Sequence, residues 1–480
     1  KAPAQAIEIL SKIQSLEADP IWTTRGLYLS GDCYNQLKKS EEAMQAFEKA
    51  LPGLKGKDAI ECRYRLGLTR FVLKQFEKSA EDLSAYLAAE STGQHAEEAQ
   101  LYLARTHLEQ GDFETAGEQL ASLVAGEGKV AARSSLWYAR VYTRAQPADY
   151  DRASDILGAA IEAHSESPII DDLRFDYANS LMARTEPDWE EALASLTLLN
   201  AEEDFGQQGE VLSQISVCQQ KLGKNEESLA SNNKFLAEHP EHRLVAEARF
   251  MKSENLFLLG RRDEAFKSYA AFLQAHAEHP NQLAASFRQA QIHHAEGRWA
   301  ECIKTSAAIV AADPKGSLYD QLPFMIGDSL FRQEKWEQAV EPLSKFLSEK
   351  VTTSDENTAV KADPNVDTAL IQLAVCHDRG GRKEAALAQL DIVINNYPTT
   401  TSQLPLALAE QGRLAYEIED LNLARKALEK FRELDTSENK PFSDSAGKQR
   451  PRVNYYLGWV EALDGKHTAA AASFKAVVDV

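Results

Sequence analysis

The sequence contains no apolar run near the roughly 18 residues that a membrane-spanning helix requires. Direct membrane insertion is therefore not expected. A cationic surplus is also missing: 53 Lys+Arg stand against 73 Asp+Glu, a net charge of -20, with no Lys/Arg run. Nucleic-acid binding needs cationic side chains that displace counterions from phosphates, so DNA and RNA are excluded as partners. Cysteine is scarce and odd in number. Cys33, Cys62, Cys218, Cys302 and Cys376 lie far apart and show neither a disulfide framework nor a zinc-ligand spacing. They read as small buried helix residues. Free thiols fit a reducing compartment, although buried ones persist elsewhere. No secretory signal is visible, but the chain starts at Lys1 rather than methionine, so its absence carries no information.

The usual chemical motifs are missing as well. Asp378–Ala386 (DRGGRKEAA) has glycines and a lysine without the phosphate-loop spacing. No strand is evident, so no dinucleotide fingerprint can follow one. His293 and His294 are adjacent and leave a helix in different directions. His239 with His242, and His276 with His279, fall short of the three or four ligands of a defined metal site. They read as helix-end residues facing water or the C-terminal dipole. No serine nucleophile elbow and no Cys–His constellation occurs. No catalytic, cofactor-binding or metal-binding residue is assigned, and the chain is read as non-catalytic.

What the sequence does have is a phrase that recurs. LGKNEESLASNNKFLAEHP ends at Pro240, LGRRDEAFKSYAAFLQAHAEHP at Pro280, EGRWAECIKTSAAIVAADP at Pro314 and GGRKEAALAQLDIVINNYP at Pro398. Each combines a turn, an acidic start, a small residue, an apolar stripe and a proline stop. Aligned on the small residue, the register markers are Ala43, Ser79, Ala116, Ala153, Ala192, Ser228, Ala265, Cys302, Ala339, Ala386, Ala424 and Ala470. Their period is nearly fixed, with successive gaps of 36, 37, 37, 39, 36, 37, 37, 37, 47, 38 and 46.

Each unit reads as two helices. Apolar residues follow the marker at four, seven and eight, as in Phe47, Ala50 and Leu51, and make one stripe on a 3.6-residue helix. A small residue precedes it by twelve in most units, such as Gly31, Gly67, Gly327, Gly412 and Gly458, and permits a close crossing of two helices. The fourth and fifth units miss this position because AQPAD and RTEPD lengthen their inter-helix turns. Trp189, Trp299 and Trp336 stand three before the marker and read as packing residues.

A helical pair with small residues at the crossing and a terminal proline resembles the tetratricopeptide repeat (TPR) family over almost the whole chain. The resemblance implies an all-α, TPR-type helical-hairpin solenoid forming a right-handed superhelix with a concave protein-binding groove. The carboxylate-clamp TPRs use Lys, Asn and Arg on consecutive groove helices, a set these units lack, so a chaperone-tail receptor is not expected. Aromatics fifteen before the marker, and again seven residues later, are similar to TPRs of bacterial cell-envelope proteins. The expected compartment is the bacterial periplasm or envelope on that resemblance, with the cytoplasm as the alternative.

The expected organisation is as follows. Residues 1–20 are the second helix of a leading repeat, and 21–350 hold nine repeats. A loop insertion covers 351–367, two repeats cover 368–434, a second loop insertion covers 435–451, and a final, apparently uncapped repeat covers 452–480. Both insertions are rich in Ser, Thr, Asp, Asn and Lys and read as exposed. The leading functional reading is a scaffold that binds partner proteins or peptides. Phe250, Phe257, Phe287, Phe324 and Phe331 are the candidate contact residues, provided their face is not core. Two alternatives stay open: a regulatory or substrate-binding region of a larger enzyme or envelope assembly, and a structural subunit self-associating through terminal repeats.

Overall fold

A computed structural model describes residues 2–15, 20–126, 130–202, 205–314, 316, 320–354, 357–360, 363–396 and 402–478. Pro398 and Val480 lie outside the described residues. The chain divides into two compact units, Lys1–Leu259 and Gly260–Val480. The division falls between the helices Val245–Leu258 and Arg262–Ala275.

In the first unit, Ala2–Ser15 is followed by six antiparallel pairs: Pro20–Gln36 with Ser40–Ala50, Lys57–Val72 with Phe76–Ala89, Ala96–Glu109 with Phe113–Val124, Ala131–Arg144 with Tyr150–Ala163, Ile170–Ala183 with Trp189–Asn200, and Gln208–Lys221 with Asn225–Glu238. Val245–Leu258 closes it. Pro20 does not end the leading helix, as the sequence pattern suggested. It opens the next one, where proline's missing N–H costs nothing.

The second unit begins with Arg262–Ala275 and continues with Gln282–Ala295 and Trp299–Ala312, then Leu322–Arg332 and Trp336–Lys350. Val366–Arg379 with Lys383–Asn396, Leu404–Glu417 with Leu421–Leu434, and Arg450–Leu463 with His467–Val478 complete it. Among the described residues the architecture is an all-α solenoid of helical hairpins, with one small β-hairpin added.

The repeat register has a direct physical meaning. Every marker is buried: eleven are 0% exposed and Ala470 is 4%. The glycine twelve before it lies under the side chain four after it. A Cβ on Gly67 would stand 2.8 Å from Leu83, on Gly327 2.6 Å from Leu343, and on Gly458 2.7 Å from Phe474. In the fourth and fifth pairs the connection runs over five residues, 145–149 and 184–188, against three in 110–112. The small buried residues there are accordingly Ala139 and Ala178, two places earlier.

The turns share one geometry. The residue five before the marker is left-handed at Gly111, Gly223, Gly260, Gly297, Gly381 and Gly465, and also at Lys38, Lys74, Glu334 and Glu419. Glycine adopts that region freely, whereas L-residues do so at a cost. Asp112, Asp149, Asp188 and Asp420 then cap the second helix by accepting a backbone N–H from three residues on.

The two insertions are not plain exposed loops. Val351–Ser354 and Asn357–Val360 pair antiparallel, with Val351 opposite Val360. The base of this hairpin is held by Lys350, which meets Asp320 and, at 3.3 Å, Asp363. Gln321 Nε2 also donates to Asp363 over 2.6 Å. The helix Val366–Arg379 starts inside the segment assigned to the loop. In the second insertion Lys440–Ala446 is a short helix whose Phe442 is 0% exposed, its ring 5.2 Å from that of Phe431. Arg450 clasps Asp435 with both Nε and Nη2, at 2.6 and 2.7 Å. A polar composition concealed one apolar anchor, and burial of that ring organises the segment.

Candidate partner-binding surface

Successive first helices lie side by side in each unit and share a face. A contact recurs along it: the residue eleven before one marker meets the residue fourteen before the next, with both counts raised by two in the long-turn pairs. Asp32 accepts from Arg65 Nη1 over 2.8 Å. Arg140 Nε donates to Asp176 over 2.6 Å. Gln214 Nε2 donates to Asn179 over 2.6 Å, and in the second unit Gln372 Nε2 donates to Asp328 over 2.5 Å. Each rung ties neighbouring repeats through complementary polar groups, which satisfies those groups where the helices exclude water.

The rungs differ in electrostatics. Burial raises the Asp32 carboxyl despite Arg65 beside it. Burial also pushes the Tyr28 hydroxyl up to about 12, so it stays protonated and accepts the Arg65 Nε–H over 2.9 Å. Asp328 is 3% exposed, and burial acts to raise it. The hydrogen bonds from His294 at 2.9 Å and from Gln372 outweigh that burial and hold the carboxyl below its usual range. Its neighbour His293 points elsewhere, edge-on to Phe266 with ring centroids 5.0 Å apart, as adjacency on a helix requires.

At one of these positions an arginine meets an indole. Arg105 lies over Trp137, its guanidinium carbon 4.0 Å from the ring centroid, and 4.7 Å from the rings of Phe71 and Tyr102. Arg140 and Arg144 approach the same indole at 4.6 and 5.7 Å. A cleft of about 310 Å³ opens beside them, lined by Arg140, Arg144, Tyr150, Asp176 and Asn179 among others.

The five phenylalanines do not share one environment. Phe324 is 6% exposed and belongs to the core, 5.3 Å from Phe346. Phe331 is half-buried and meets Trp336 edge-on at 5.0 Å. Phe250, Phe257 and Phe287 are also half-buried. The two aromatic positions are split by what lies opposite. The earlier one faces the second helix of its own pair, as Tyr28 faces Phe47 at 5.9 Å. The later one meets the start of that second helix, as Phe331 meets Trp336 and Phe71 meets Phe76 at 5.8 Å, and Phe71 also reaches Tyr102 on the next first helix at 5.2 Å. Phe324 is therefore a packing residue, because a ring wedged between paired helices cannot be offered to a partner.

The histidine pairs lie at helix ends as expected, with His239 and His276 in C-cap positions. His239 and His242 flank Phe235, and His276 and His279 flank Phe272, with ring centroids 5.3–5.7 Å from the phenylalanine. They are half-buried against these rings. Among the described residues no three His, Cys, Asp or Glu gather as metal ligands, and no helix is long and apolar enough to cross a membrane.

The sequence reading missed the polar rungs and the Arg105 platform. Columns read at eleven and fourteen before the marker, with the two-residue shift in the long turns, place Asp32 against Arg65 and Arg140 against Asp176, but other pairs in the same columns, such as Val217 and Met251, carry no polar signal.

Three tetratricopeptide-repeat models match this chain, one over residues 24–51, one over 64–132 and 409–479, and one over 368–400. The chain carries tetratricopeptide repeats. A TPR protein of Parabacteroides merdae is 13% identical, with 58% of this chain and 98% of that one covered and a TM-score of 0.36. The C-terminal part of a TPR repeat-containing protein from Cytophaga hutchinsonii is 15% identical, covering 55% and 93%, with a TM-score of 0.41. Yeast Tom70 is 14% identical, covering 90% and 97%, with a TM-score of 0.31. Comparison with curated proteins returns no match.

Proposed function

We propose that this TPR chain is a non-catalytic scaffold that binds partner proteins or peptides along the shared face of its first helices. The observation that carries the reading is the ladder itself. Polar rungs tie the first helices together and leave half-buried aromatics such as Phe257 and Phe331 among them. A face of that kind combines apolar anchors with a charged surround, the pattern of helix or extended-peptide recognition.

The test uses the full chain as bait and a partner identified by mass spectrometry, with affinity then measured on the purified pair. Phe257→Ala together with Phe331→Ala should weaken binding about tenfold with unchanged helicity. Loss of helicity in the double variant would assign both rings to the core instead.

A second reading, self-association through the last repeat, is favoured by one observation. On Arg450–Leu463, Tyr455, Trp459 and Leu463 are 46%, 42% and 61% exposed and lie at four-residue spacing on one helix face. Sedimentation that shifts with concentration in the wild type and not in Trp459→Ser would support it.

A further inference from the structure

In four rungs a charged or amide side chain meets its polar complement: Asp32 with Arg65, Arg140 with Asp176, Asn179 with Gln214 and Asp328 with Gln372. At Arg105 the complement is an indole. Its Nε is buried without a hydrogen-bond partner, and no carboxylate lies within ion-pair distance of it among the described residues. Burial pulls its guanidinium below the usual value, outweighing the Tyr102 hydroxyl and the Glu109 charge that it shares with Arg144. Around Trp137, Arg140 is paired with Asp176 and Arg144 with Glu109 at 2.8 Å, so three guanidinium groups face two carboxylates. This excess positive charge sits in a protein of net charge -20, beside a cleft.

We propose that Arg105 on its Trp137, Tyr102 and Phe71 platform is a docking point for the carboxylate of an acidic side chain in a partner protein. The proposal rests on the scaffold reading and names the partner chemistry at one place on the first unit. Ring faces hold the guanidinium flat while its edge keeps N–H donors in the fork geometry that a carboxylate accepts. The aromatic walls lower the local dielectric and strengthen that contact. An incoming acidic group supplies the carboxylate that Arg140 and Arg144 already find in Asp176 and Glu109. A nucleic acid would bring many phosphates against a surface that is acidic overall, so an acidic protein segment is favoured.

The test is fluorescence anisotropy with the full chain and three fluorescein-labelled nonapeptides: Ser-Glu-Leu repeated three times, and the same peptide with Gln or Lys in place of Glu. The Glu peptide should bind at least tenfold tighter than the Gln peptide, and the Lys peptide weakest. Arg105→Gln should reduce Glu-peptide affinity about tenfold, to the level of the Gln peptide. Arg105→Lys should restore little, because an ammonium lacks the fork. The peptide comparison on the wild type needs no variant, so a folding defect in Arg105→Gln does not block the test. Equal binding of Glu and Gln peptides, an unaffected Arg105→Gln, no binding by any peptide, or tighter binding of a ten-nucleotide oligothymidylate would each overturn the proposal. The scaffold reading fails separately, through the partner measurement on Phe257 and Phe331.

Discussion

At the scale of single residues, burial decides reactivity. Burial pushes the thiols of Cys62 to about 12 and of Cys218 and Cys376 to about 11, and Cys302 is raised as well. Thiolate is the nucleophile, so these groups are inert in the folded protein. Cys33 is the one cysteine that is not fully buried. Iodoacetamide should therefore add one adduct, on Cys33, to the native chain and five after unfolding, counted by intact mass. Asp328 makes a second prediction. Its folded value lies below that of an ordinary aspartate, so the stability it adds is complete above the unfolded value and is lost as pH falls through the folded one. Thermal melts should show a loss below about pH 4 that is smaller in Asp328→Asn. The substitution should cost about 2 kcal/mol at neutral pH through its weakened hydrogen bonds to His294 and Gln372.

At the scale of the element, the helical pair depends on two backbone positions with opposite demands. Gly327 must stay without a Cβ because Leu343 already occupies that space. Gly327→Ala should destabilise by about 2 kcal/mol, as overpacking does. Lys74 sits at φ 58 with an exposed side chain, in a place where six other turns use glycine. Lys74→Gly should stabilise by about 0.5–1 kcal/mol, since relief of left-handed strain exceeds the added freedom of the unfolded chain. Urea midpoints of the two variants should move in opposite directions. The period and the crossing residues were legible in the sequence because each repeats one steric requirement twelve times. The insertions were not. Phe442 is a single ring in a polar segment, and its destination, the core beside Phe431, is a tertiary fact.

At the scale of the whole molecule, each repeat draws its stability from its neighbours, so damage should stay local. Phe442→Ala removes a fully buried ring and should cost about 3 kcal/mol. Hydrogen exchange should quicken in Leu421–Leu434 and Arg450–Leu463 and stay unchanged in Lys57–Val72. Uniform acceleration through both units would show cooperative rather than repeat-wise unfolding. The surface follows the same logic: the positions between neighbouring first helices are set one by one, so the indole at Trp137 can create a local site without disturbing the rest.

The sequence by itself determined the hairpin repeat, its register, its turns and the small residues at each crossing. These depend on local sterics and on helical periodicity, which recur within some forty residues and can be read along the chain. Tertiary structure alone decided which aromatics were core, which polar residues formed rungs and what the insertions became. Those outcomes depend on which side chain of one repeat meets which of the next. Phe324 and Phe331 look alike in the sequence and part company in the fold, because one packs against Phe346 well inside the paired helix and the other meets its first residue, Trp336.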